Sequence, residues 1–168
     1  VMPNAVAQSN YFVSSSSGDD KNNGLTVSNP WASMSRVSQE VLRPGDTVYF
    51  KSGDRFTGQL VIDESGTALA PIHFSTYGKG DLPVINGAEM PGGEPLASVL
   101  IVDQDHLELS KLHIKNFRKK KRNGVVDTDA YGVLVKNTGK RNLRGYNFHD
   151  LVVEDIFPIQ ARKSFNKT

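Results

Sequence analysis

The sequence predicts an all-β fold of the solenoid type, opened by a capping helix. Three observations predict it. From Asp46 onward, short apolar runs alternate with turn clusters, the early runs about every 12 residues. That spacing alone also fits a β-sandwich or barrel. Second, the stretch 109–117 recurs as 148–156, 39 residues on, with Leu109, Leu112 and Ile114 answered by Phe148, Leu151 and Val153. Stacked coils demand such repetition, because each inward side chain rests on its counterpart in the next coil. Third, an amphipathic stretch precedes the strands, and a solenoid needs a cap over the end of its apolar core.

The elements follow in order. Ala5-Val6-Ala7 is a small-x-small triplet of the kind that ends a secretory signal peptide, so residues 1–9 are expected to be a signal remnant or disordered, and the protein exported to the periplasm or beyond. Residues 10–13 form a first strand and 14–24 a polar loop. A helix is expected over 30–42, with Asn29 as N-cap and Pro30 at the first helical position. Trp31, Met34, Val37 and Val41 then share one face. Arg43-Pro44-Gly45-Asp46 stops it. Strands are expected at 47–50, 59–62, 72–75, 84–85, 99–102, 107–109, 112–114, 133–135 and 151–153. This divides the chain into a cap over 10–45, coils over 46–157, and the start of a further coil or a tail over 158–168.

Composition narrows the function. The 168 residues contain no cysteine, which excludes a disulfide framework, a thiolate metal site and a thiol nucleophile. No apolar run approaches the length of a membrane-spanning helix. The net charge of +2 conceals an asymmetry: residues 1–110 hold 6 Lys/Arg against 13 Asp/Glu, and residues 111–168 hold 14 against 5. A basic half suggests a polyanion partner. The run Arg118, Lys119, Lys120, Lys121 and Arg122 is its centre, helped by Lys136, Lys140, Arg141 and Arg144; a solvated loop is the alternative. Nucleic acid is disfavoured, since no aromatics interleave the cations and no recognition motif accompanies them.

Several segments together resemble a known family. They are Tyr11-Phe12-Val13-Ser14, Gly18-Asp19-Asp20, Asn23-Gly24, Asn29-Pro30-Trp31, Pro44-Gly45-Asp46-Thr47-Val48-Tyr49-Phe50, Ser52-Gly53-Asp54, Tyr77-Gly78 and Pro83-Val84-Ile85-Asn86-Gly87. They are similar to the amino-terminal cap and opening coils of secreted, pectate-lyase-like carbohydrate-active proteins. The resemblance implies a right-handed parallel β-helix. It implies a polysaccharide lyase or glycoside hydrolase, or a non-catalytic module that binds glycan or a cell surface. Lyase chemistry on an acidic polysaccharide is the first expectation. Such proteins are much longer, so the chain is expected to be an amino-terminal fragment whose catalytic centre and remaining coils lie downstream.

A lyase needs a base and a cation to neutralise a uronate carboxylate; a hydrolase needs two carboxylates. His149, with acidic neighbours, and the pair Arg162 and Lys163 are the catalytic candidates. Strand alternation forbids His149 and Asp150 from facing the same side. Asp127 and Asp129, two apart on an extended segment, are the candidate Ca²⁺ ligands. His73, His106 and His113 are expected to be structural.

Overall fold

A computed structural model describes residues 7–89, 95–118, 129–139 and 141–158. The protein is almost all β, with little helix, and each β-sheet is parallel. After β1 (Asn10–Val13) and α1 (Met34–Gln39), the chain runs repeatedly through three sheets. The first circuit is β2 (Thr47–Lys51), β3 (Arg55–Thr57) and β4 (Leu60–Ile62). The second is β5 (Ile72–Tyr77), β6 (Val84–Asn86) and β7 (Ala97–Val102), with a 3₁₀ turn at Gly87–Glu89. The third is β8 (Leu107–Ser110), β9 (His113–Phe117) and β10 (Tyr131–Lys136). A fourth begins with β11 (Tyr146–His149) and β12 (Val152–Phe157). Sheet A is ordered β1-β2-β5-β8-β11, sheet B β3-β6-β9-β12, and sheet C β4-β7-β10.

The register explains the repetition. Phe56 pairs with Ile85, Ile85 with Ile114, and Ile114 with Val153. Leu60 and Ile62 pair with Val99 and Ile101, which pair with Val133 and Val135. Val48 and Phe50, Ile72 and Phe74, and Leu107 and Leu109 line the inside of sheet A, nearly sealed from solvent. Alternation of period two points these residues inward and leaves polar ones outside.

Single residues turn the corner from sheet A to sheet B, and they take left-handed backbone. Gly53 and Gly78 do so in the first two circuits, then Lys111 (φ 53°) and Asp150 (φ 52°), 39 residues apart. The repeat expected from sequence is therefore the true strand register as far as Glu154. There it slips: Asp155 (φ 54°) is the extra residue of a β-bulge, so Asn116 pairs with Ile156 and Phe117 with Phe157.

The helix corrects the sequence reading. It spans six residues rather than 30–42, and its N-cap is Ser33, not Asn29. Asp20 is the cause. Its carboxylate accepts the backbone N–H groups of Ala32 (2.8 Å) and Ser33 (3.0 Å) and the Ser33 hydroxyl (2.7 Å), and this holds the preceding segment extended. Trp31 lies in that segment and bridges Val13 as a strand residue. Helical backbone ends at Gln39, so Val41 is 72% exposed and Leu42 is buried instead. The capping role does fit. Ser38 Oγ accepts the Val61 backbone N–H (3.0 Å), so α1 covers the free edge of β4. Trp31 is fully buried, stacks on Tyr11 at 4.8 Å, and carries the Arg36 guanidinium 4.2 Å above its ring. Gly24 (φ 73°) is required here, because a Cβ would lie 2.4 Å from the Trp31 ring.

Candidate functional site

The outer face of sheet A gathers the outward residues of successive strands, most of them polar, into two rows. One row runs Asn10, Thr47, His73, Glu108, Asn147; the other runs Phe12, Tyr49, Ser75, and then Ser110 and His149. Ser75 and Ser110 join the second row through their hydroxyls, 2.9 Å apart. Each strand supplies one residue per row, because alternate positions face outward and the sheets are in register.

Glu108 is the hub. Its Oε1 lies 3.1 Å from His149 Nε2, its Oε2 3.7 Å from His73 Nε2, and Asn147 Nδ2 donates to Oε2 at 3.3 Å. His149 Nδ1 contacts Asp150 Oδ2 at 2.9 Å. The His149 imidazole therefore bridges two carboxylates. The hydrogen bond to Glu108, then that to Asp150, raises the His149 pKa above its ordinary value. The same His149 contact lowers Glu108, against an opposing effect of burial, with His73 and Asn147 helping. The cluster favours ionised Glu108 and protonated His149.

An open cavity of about 520 Å³ adjoins the cluster at the starts of the sheet A strands, in the size range of small-molecule sites. Glu108 and Asn147 line it together with Thr67, Pro71, His106 and Arg144. Gly145 (φ 77°) makes that wall possible: a Cβ there would fall 2.3 Å from His106 Nδ1, the ring stacked beside it. The cavity and the polar rows thus share two residues on one face.

The expected site residues separate. His149 and Arg144 come to this face. Strand alternation does not keep His149 and Asp150 apart, because Asp150 is a left-handed corner residue whose side chain turns back to the imidazole. His73, expected to be structural, also faces this side, where its Nε2 is the second imidazole nitrogen near Glu108. Arg118, the first residue of the basic run, does not project. It is 2% exposed, and its Nη1 donates to the Asp129 carbonyl at 2.6 Å. Arg141 is held at a corner, 3.4 Å from Asp105 and donating to the Asp103 carbonyl at 3.1 Å. Lys136 ends β10, exposed, on sheet C rather than on this face. Asp129 is partly exposed. Lys119, Lys120, Lys121, Arg122, Asp127, Lys140, Arg162 and Lys163 lie outside the described residues. Among the described residues, no three His, Asp or Glu side chains group as metal ligands, and no helix is long and apolar enough to cross a membrane.

Glu108 is the residue that sequence reasoning missed. A signal existed: Glu108 and Asn147 are 39 residues apart, the same offset as the apolar repeat, so the stacking of the inner residues also stacks the outer ones.

The chain's likeness to known proteins points to carbohydrate-active relatives. No family model matches the chain. Lacto-N-biosidase of Bifidobacterium longum subsp. longum is 33% identical over 129 residues, covering 63% of this chain and 8% of that protein. The crystal structure of GH136 lacto-N-biosidase from Eubacterium ramulus superposes with a TM-score of 0.75 at 26% identity, over 89% of this chain and 27% of that one. The native form of that enzyme gives 0.72 at 27% identity. A rhamnogalacturonan lyase shares the fold at a TM-score of 0.59 and 19% identity, over 88% of this chain and 36% of that one. The chain thus spans only a small part of the length of these relatives. Its homologues are carbohydrate-active proteins.

Proposed function

We propose that this chain is part of an exported glycoside hydrolase built on a right-handed parallel β-helix, and that the outer face of sheet A contacts its glycan. The likeness to GH136 lacto-N-biosidase across 89% of the chain carries this reading. Hydrolysis replaces the lyase chemistry first expected. The lyase likeness, at 19% identity, speaks for the fold alone. The support for an acidic glycan also weakens, because Arg118 is buried and Arg141 is occupied.

The cluster around Glu108 suits binding better than bond cleavage. Glycoside hydrolysis needs one carboxyl group protonated to serve as acid. Glu108 and Asp150 both contact His149, and Glu108 is held below the ordinary carboxylate range. We therefore place the cleaving pair elsewhere in the complete protein and give this face the role of holding sugar hydroxyls. The test is direct. The intact protein is incubated with 4-nitrophenyl lacto-N-bioside and, separately, with polygalacturonate. Nitrophenol release supports the hydrolase; ultraviolet absorbance from an unsaturated uronate, without nitrophenol release, overturns it.

A further inference from the structure

We infer that the outer face of sheet A carries a stacking subsite for a neutral pyranose ring, formed by Tyr49 with Ser75, His73 and Glu108. The inference deepens the carbohydrate reading above and rests on it. It starts from an aromatic group that the Glu108 cluster does not use. Phe12 and Tyr49 sit opposite each other on β1 and β2, with ring centroids 5.6 Å apart and planes 21° from parallel. Tyr77, two residues beyond Ser75 on β5, leans across β2 to meet Phe12 edge-on at 5.2 Å and bounds that end of the row. Phe12 therefore covers one face of Tyr49. The other face looks along the row to β5, where the partner is Ser75.

Ser75 is too small to cover a phenol ring. It remains partly exposed, with Ser110 buried beyond it, so the row dips between Tyr49 and His149. Three strand spacings separate those two residues, about 14 Å at about 4.8 Å each. The dip is wide enough for a sugar ring. The C–H face of a pyranose packs on an aromatic face, and its hydroxyls need polar partners close by. The Ser75 hydroxyl lies on the floor. His73 and Glu108 stand in the neighbouring row, paired with each other across β5 and β8.

Charge selects the class of sugar. On the His149 side, the carboxylates of Glu108 and Asp150 lie against the imidazole at 3.1 and 2.9 Å, and Lys111 stands at the corner. On the aromatic side stand one cation and one carboxylate: Lys51 Nζ reaches the Ser16 and Ser17 hydroxyls at 3.3 and 3.4 Å, and Asp54 accepts the Ser14 hydroxyl at 2.7 Å. Arg144 stands five residues before His149, on the order of 15 Å away along the strand. The carboxylates of Glu108, Asp150 and Asp54 around the dip are not outnumbered by its cations, so a uronate gains nothing over a neutral ring.

The experiment is calorimetry on the intact protein with lacto-N-biose as the neutral probe and digalacturonate as the acidic one. Lacto-N-biose should bind more tightly. Tyr49→Phe keeps the ring and should keep the affinity. Tyr49→Ala removes it, Ser75→Phe fills the dip, and each should weaken binding about 10-fold. Full affinity in both weakened variants overturns the subsite. So does tighter binding of digalacturonate, or no binding of lacto-N-biose. The two readings separate cleanly. Tyr49-dependent binding in a protein that cleaves no lacto-N-bioside sinks the hydrolase and leaves the subsite. Cleavage with binding indifferent to Tyr49 and Ser75 does the reverse.

Discussion

Glu108 on β8 and His149 on β11 meet through Oε1 and Nε2 at 3.1 Å, although 41 residues separate them in sequence. The contact is diagonal, since the register pairs Glu108 with Asn147 and His149 with Ser110. It couples two titrations that the sequence presents as unrelated.

Stability should therefore show a pH window. The folded protein raises the pKa of His149, so that contribution is complete below the ordinary 6.5 and fades as pH rises through the folded value. It lowers the pKa of Glu108, so that contribution is complete above the ordinary 4.5 and fades as pH falls through the folded value. The two overlap between 4.5 and 6.5. Both side chains are only partly buried, 41% exposed for His149 and 24% for Glu108, so solvent screening keeps the effect small. Thermal melts from about pH 4 to about pH 9 should show the midpoint advantage over His149→Gln peaking inside the window. A constant offset at every pH would mean that the imidazole acts through packing alone.

Trp31 anchors the cap. It is fully buried, stacked on Tyr11, covered by Arg36, and donates from Nε1 to the Asn22 carbonyl at 3.0 Å. Trp31→Ala should cost about 3–5 kcal/mol in urea denaturation. Loss of less than about 1 kcal/mol would show that the cap is not part of the cooperative unit.

Much of this fold was legible because its repeat is written in apolar residues. Ile114 and Val153 announce both strand and register, whereas Leu109 and Phe148 announce the register alone, since no strand was expected at β11. The strand β3 was not legible: it contributes one inward residue, Phe56, between Ser52-Gly53-Asp54 and Gly58, and reads as a turn. Helix length was misread because Asp20, 13 residues before Ser33, decides where α1 begins. That is a long-range contact, and local propensity carries no trace of it. The site was legible only in part. His149 stood out by its acidic neighbours. Glu108 lies in a plain strand, and its role arises from stacking across circuits.

Gly145 and His106 test that stacking. Both occupy the corner leading into sheet A, in successive circuits, and both have left-handed backbone. Gly145→Ala should destabilise by about 1–3 kcal/mol, from strain and from the His106 ring in its way. Adding His106→Ala should recover part of that loss, because the clash is removed and the strain is not. Strictly additive losses in a double-mutant cycle would show that the ring simply swings aside.

Arg118 itself takes the opposite role to the exposed glycan contact expected of it. An arginine 2% exposed, donating to the Asp129 carbonyl, serves the packing between β9 and β10. Its aliphatic stem fills volume and its charge is already removed from water. Arg118→Ala should cost about 2–4 kcal/mol, from lost packing and an unsatisfied carbonyl. Arg118→Met keeps most of the volume without burying a charge and should lose less. A surface cation behaves otherwise: both substitutions would leave the denaturation midpoint nearly unchanged and would weaken glycan binding in a salt-dependent way. Urea melts and calorimetry at two salt concentrations on the same pair of variants distinguish the buried strut from the exposed binder.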